Sequence, residues 1–256
     1  MIGAISKCSF IFVLLSGAAH ARSGAWSYGE AHVLPAGRWE LGLFAPLAYG
    51  LTDRVELATH PLLDVLDPAL TVKVAWLDRG PWSFASEHTL SYPTQLIKTL
   101  SAPGTGGLWP DEAVVPQIIG FDTDLMASYS LGSHVFLARV GALMAARFGA
   151  STLGTVDMWF LYPRTAHWSS GATIRFGLAA HLQVSDALDV EADVDLYTRV
   201  ADDAEDGSPV LEQSARIIWR VSCAVRLQLG YAISGGDLPG PDDWAILPTF
   251  DARFAF

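Results

Sequence analysis

TIRFGLAAHLQVSDALDVEADVDLYTR, running from Thr173 to Arg199, alternates between two kinds of residue on either side of a very short break. In the first arm Ile174, Phe176, Leu178, Ala180, Leu182 and Val184 share one face, and Arg175, Gly177, Ala179, His181 and Gln183 the other. After Ser185, Asp186 and Ala187 the second arm sets Leu188, Val190, Ala192, Val194 and Leu196 against Asp189, Glu191, Asp193 and Asp195. Side chains alternate across a strand, so this is a β-hairpin with one apolar face and one face carrying four acids. A soluble sandwich would bury the apolar face. A membrane barrel would turn it outward and line its interior with the acids.

The rest of the chain favours the barrel. Of its 256 residues, 51% are hydrophobic and only 17% charged. No run approaches the roughly 18 apolar residues that a membrane-spanning helix needs, so the hydrophobicity is spread as alternation. The segments are Trp26 to Val33 (the weakest), Trp39 to Tyr49, Val55 to Thr59, Leu70 to Trp76, Trp82 to Tyr92, Ile118 to Leu131 and Val135 to Phe148. The hairpin follows, then Leu211 to Val221, Cys223 to Ser234 and Ile246 to Phe256. The expected fold is all-β: a closed antiparallel transmembrane barrel of about twelve strands.

Loop lengths give an independent test. Breaks near Thr52, Gly80, Gly132, Asp186 and Ser222 are tight, whereas Gln95 to Pro116, Gly149 to Ser169, Ala201 to Pro209 and Gly235 to Asp243 are long. Tight and long connections alternate, as expected when both termini are periplasmic. Tyr49, Trp76, Trp82, Tyr129 and Trp219 cluster beside the tight breaks, where an interfacial aromatic girdle belongs.

Residues 1–21, with Lys7, an apolar Phe10 to Leu15 and Ala19-His20-Ala21, have the form of a cleaved secretory signal, leaving 22–256 as the barrel domain. Loss of Lys7 takes the formal charge from −11 to −12, which argues against a nucleic-acid partner. Cys8 leaves with the signal, so Cys223 has no partner for an internal disulfide, and no zinc spacing exists.

Two stretches carry a resemblance. Pro248 to Phe256, alternating and ending on Phe256, resembles the C-terminal signal by which the assembly machinery of Gram-negative outer membranes recognises its barrels. Leu34 to Thr59, LPAGRWELGLFAPLAYGLTDRVELAT, resembles the opening of a group of predicted outer-membrane transporters described as phenol-degradation-pathway-like. The resemblance implies residence among outer-membrane lipids and lipopolysaccharide, and passage of a small solute.

The inward charges are the candidate site: Asp122, Asp124, Asp189, Glu191, Asp193 and Asp195 against Arg139, Arg147, Arg175, Arg216, Arg220, Arg226 and Arg253. They line a conducting lumen or fill it with cross-strand ion pairs; the 188–196 acids would face Arg175 on one side and Arg216 and Arg220 on the other. Aromatic residues of the long loops, Leu108, Trp109, Trp159, Phe160, Tyr162 and Trp168, would bind a hydrophobic solute at the mouth or cap it. His167-Trp168-Ser169-Ser170-Gly171 resembles the His-x-Ser-Asn-Gly stretch of outer-membrane phospholipases, with Ser170 in place of Asn. Ser86 and His88 have similar spacing. Neither pair shows a third partner in sequence, so no enzyme is expected. The acidic loop Asp202 to Asp206 lacks a spaced calcium-ligand pattern, and no metal or cofactor is expected.

Overall fold

The computed structural model describes residues 26–27, 29–102, 109–110, 112–153, 156, 162–200, 209–236, 238 and 243–256. The signal stretch and the acidic loop at 202–206 lie outside the described residues, as do Leu108, Trp159 and Phe160. Twelve antiparallel strands close into a barrel in chain order, the first pairing with the last. They are β1 Trp39–Gly42, β2 Leu47–Thr52, β3 Val55–Thr59, β4 Ala69–Arg79, β5 Trp82–Ser91 and β6 Gln117–Leu131. β7 His134–Phe148, β8 Ala172–Gln183, β9 Leu188–Arg199, β10 Val210–Arg220, β11 Val225–Gly235 and β12 Trp244–Ala255 complete the ring.

Burial is inverted relative to a soluble sheet. On β9, Asp189, Asp193 and Asp195 are buried while Val194 and Leu196 are exposed. On β11, Gln228 is 8% exposed and its neighbour Leu229 is 68%. Only a barrel with apolar solvent outside makes this arrangement favourable. Trp39 packs on Tyr49 with ring centroids 4.3 Å apart and Trp82 on Tyr129 at 4.8 Å, both pairs tilted, forming part of an aromatic belt at the tight-turn end.

The first two strands differ from the pattern in the sequence. Residues 39–49 do not form one strand; the chain turns at 43–46, where Pro46 has no N–H for a ladder and Phe44 N donates to Asp251 Oδ1 at 2.9 Å. Of Trp26 to Val33, the described residues form no strand. They lie inside the ring, so the strand number comes out as expected from a different first pair.

The loop after β5 contains an unexpected helix, α1 Thr94–Ser101. Thr94, Ile97 and Ser101 lie on one buried face. Ile97 packs with Val115, Ile118, Leu153, Val156 and Trp168, so the two longest loops share a small core above the barrel. Trp168, on the one-turn helix α2 His167–Ser170, is buried in that core, and Tyr162 is buried separately against Ala166 and Val210, which removes both as exposed solute contacts.

Candidate functional site: a plugged lumen

The interior is divided between a plug and a set of bridges. Residues 26–34 enter from the tight-turn end and are held by buried charges acting on their backbone. Ser27 N donates to Glu40 Oε2 at 3.1 Å, Leu34 N to Glu56 Oε2 at 2.7 Å, and Lys73 Nζ to Ser27 O at 2.9 Å. All three side chains are buried. A buried ion is tolerable only when its hydrogen-bonding capacity is met, and here the segment meets it.

Side-chain packing completes the seat. The Trp26 ring lies under the guanidinium groups of Arg226, at 4.3 Å, and Arg253, at 5.4 Å. Ala31 packs against Ala85, Met126, Leu137 and Ala179, and Leu34 against Ala48 and Ala58. Glu30 pairs with His32 at 3.0 Å and His181 at 3.7 Å, while His32 Nε2 meets Trp26 O at 2.8 Å. The space left beside Gly29 and Glu30 is about 10 Å³, room for one water.

The bridges occupy the β6 to β11 side. Arg139 on β7 grips Asp195 on β9 with both ends of its guanidinium, its Nε 2.8 Å from Oδ1. It reaches over Gly177 of β8, where a Cβ would collide with the Asp195 carboxylate. Arg175 on β8 grips Asp124 on β6 in the same way, reaching over Gly141 of β7. Isolated glycines inside strands mark such close approaches. Arg175 therefore does not serve the 188–196 acids, as the sequence led us to expect, because the glycine gap sends it toward β6.

The other inward charges are placed as follows. Arg216 meets Asp193 at 3.4 Å and Glu191 at 3.9 Å, and Ser214 donates to Asp193 at 2.6 Å. Arg220 meets Asp189 at 3.0 Å, and Arg253 pairs with Glu40. Asp122 faces His167 at 3.5 Å, and Arg147 donates to Ser169 O at 3.1 Å. Sequence reasoning did not single out Glu40, Glu56, Lys73 or Arg164, whose guanidinium bonds Glu212 at 2.6 Å. Arg164 lies in a loop, where alternation gives no signal.

Above the plug, on the β1 to β5 side, a cavity of about 300 Å³ runs from Ser27 to the rim residues His60, Leu63 and Asp67. Glu56, Lys73, Glu87 and Thr71 give it an acid-rich polar patch in a wall otherwise built largely of apolar side chains such as Pro46, Ala48, Ala58 and Leu63. Ser169 Oγ accepts from Val156 N at 2.9 Å, and His167 is buried in the rim loop. Among the described residues no cluster of metal ligands occurs.

A closed, even-numbered antiparallel barrel with charges inside, apolar side chains outside and tight turns at one end is of the outer-membrane class. No family model and no curated protein matches the chain. Among solved structures it is similar to a loop-deletion form of OmpT, an outer membrane protein of Vibrio cholerae. Identity is 9%, the TM-score 0.49, and the match covers 94% of this chain and 70% of that one. Outer-membrane expressed OmpT of the same organism gives 9%, 0.47, 94% and 72%. DcaP, an outer membrane channel of Acinetobacter baumannii, gives 11%, 0.38, 82% and 62%. Such likeness concerns architecture alone; the class rests on this chain's own geometry.

Proposed function

We propose that this protein is a passive outer-membrane channel for small polar solutes, normally occluded, with residues 26–34 as its gate. The observation that carries this reading is the seating of that segment by Glu40, Glu56 and Lys73. These bonds are non-covalent, and water can replace them when the segment withdraws. The resemblance of residues 34–59 to predicted transporters supports the same reading. The acidic patch of the cavity favours small cationic solutes over anionic ones. In this reading lumenal chemistry is binding and passage, not catalysis. Lipopolysaccharide surrounds the long-loop end, and β12 with Phe256 is the stretch read by the assembly machinery.

Planar-bilayer recording tests the gate. Wild-type protein should conduct rarely, and a variant lacking residues 26–34, or carrying Glu40→Gln with Glu56→Gln, should conduct several-fold more. A folded, plug-deleted barrel that conducts no more than wild type sinks this reading.

A further inference from the structure

The outer, lipid-facing surface carries a second arrangement. Ser86 and His88 are on the outward face of β5, in line with the exposed Trp82, Phe84 and Leu90; His88 is half-buried, and Ser86 is buried, in contact with the Trp76 indole. His88 Nε2 is 3.1 Å from Ser86 Oγ, and His88 Nδ1 is 2.8 Å from Thr123 Oγ1, on the neighbouring β6. Polar side chains facing hydrocarbon are costly, and three in one hydrogen-bonded chain call for an explanation beyond packing.

The surroundings are built around Ser86. The β4–β5 register slips between Ala75 and Leu77, making Trp76 a bulged residue. Bulges re-aim side chains. Here Trp76 Nε1 donates to Ser86 Oγ at 2.9 Å, leaving the serine proton for His88 Nε2. With the indole donating, the serine proton is free for His88, and in the tautomer protonated on Nδ1 the chain runs Ser86 O–H to Nε2 and Nδ1–H to Thr123. His88 stacks on Phe121 with rings 7° from parallel, which holds the imidazole in place. Nucleophile, base and orienting group are all within hydrogen-bond reach.

Position then names the substrate. Trp76 belongs to the aromatic belt at the tight-turn end, the depth at which lipid ester groups lie. Toward the opposite rim the same face opens into an apolar groove of about 410 Å³, walled by Leu70, Leu90 and Ile119. An acyl chain whose ester sits at Ser86 would run past His88 and Phe121 toward this groove.

We propose that Ser86, His88 and Thr123 form an acyl-hydrolase site for glycerophospholipids in the leaflet at the tight-turn end. Ser86 Oγ bonds to the ester carbonyl carbon while His88 Nε2 takes its proton. Trp76 N–H lies beside the carbonyl oxygen as it gains charge. The C–O bond to glycerol breaks, and His88 returns the proton to the leaving alcohol. Water then attacks the acyl-serine, giving a proton to His88 that passes to Ser86 Oγ as the fatty acid leaves. Ester and water become acid and alcohol, with no redox partner. Thr123 is a positioning residue, and the site is independent of the gated lumen.

The full protein, reconstituted in phosphatidylethanolamine and phosphatidylglycerol vesicles, should release fatty acid, and a fluorophosphonate should form an adduct on Ser86. Ser86→Ala and His88→Ala should each lower release at least about a hundredfold, the scale of general-base assistance. Heat-shifted gel mobility would verify that both variants remain folded barrels. Thr123→Val should lower kcat, leave KM and move the acid limb of the pH profile, with Thr123→Ser restoring it. Ser169→Ala should change nothing. Absence of both release and adduct in folded wild type overturns the proposal, as does an adduct without release or release that survives Ser86→Ala. Release from lipopolysaccharide alone overturns the assignment of substrate.

Discussion

The two sides of the lumen solve one problem in different ways. From β6 to β11, strands of 11 to 15 residues carry long arginines that meet carboxylates across the ring. From β1 to β3, strands of four to six residues present carboxylates to a borrowed piece of backbone. On the first side charge is neutralised by neighbours in the wall; on the second Glu56 is met by the 26–34 segment, and Glu40 by that segment together with Arg253. A buried acid paired with arginine alone is a filler, whereas one that also holds the 26–34 segment would be a latch in the proposed gate.

Four experiments can break or sharpen that distinction. The largest effect is expected on the bridged side: Asp195→Leu leaves Arg139 with only the longer contact to Asp193, at 3.7 Å, and should cost up to about 3–5 kcal/mol, while Arg139→Met with Asp195→Leu should be close to neutral. Urea unfolding in detergent measures both, and equal losses would show that the bridge is not a filler. On the latch side Glu56→Gln removes a charged acceptor worth roughly 1–3 kcal/mol to the plug alone. Hydrogen exchange at Leu34 N should rise while global unfolding stays put. In a plug-deleted barrel, Glu87→Gln should lower cation preference in reversal-potential measurements, because Glu87 faces the cavity beside Lys73 at 3.7 Å.

The smallest effect belongs to the rim. Burial, reinforced by Asp64, pushes the Asp67 carboxyl up to about 6. Its protonated form favours the folded loop, so that contribution is present at acid pH and lost as pH rises from 3.8 through about 6. Burial, opposed by a hydrogen bond from the imidazole to the backbone of Arg164, pushes His167 down to about 4. Its neutral form favours the fold, so that contribution is lost as pH falls from 6.5 toward 4. Limited proteolysis between pH 4 and 7.5 should show the 60–68 loop loosening upward and the 149–171 loop downward. Asp67→Asn and His167→Gln should each flatten one trend.

Most of the barrel was legible because alternation is a local signal. Leu227, Leu229 and Tyr231 against Arg226, Gln228 and Gly230 state the face of every residue in β11 without reference to anything distant. The alternation of tight and long connections was readable for the same reason. The plug was not, because the described residues of Trp26 to Val33 make no ladder and their partners Glu40, Glu56 and Lys73 are set by long-range closure. The bridge partners failed similarly: alternation gives a face, and only Gly141 and Gly177 hinted that arginines pass over a strand. Ser86 and His88 were visible as a pair, but their third member, Thr123, comes from a strand beyond a long loop.

The seam between β1 and β12 has three paired positions, against fifteen between β6 and β7. Across it Glu40 pairs with Arg253, and the same Glu40 carboxylate receives Ser27 N. Ring closure joins the first strand synthesised to the last, so Glu40 waits without its arginine until the whole chain has arrived. The joint and the stopper are thereby coupled in time. A nascent sheet that has not yet curled round on itself lacks the partner that steadies the stopper's anchor, and the step that seals the wall also sets the cork.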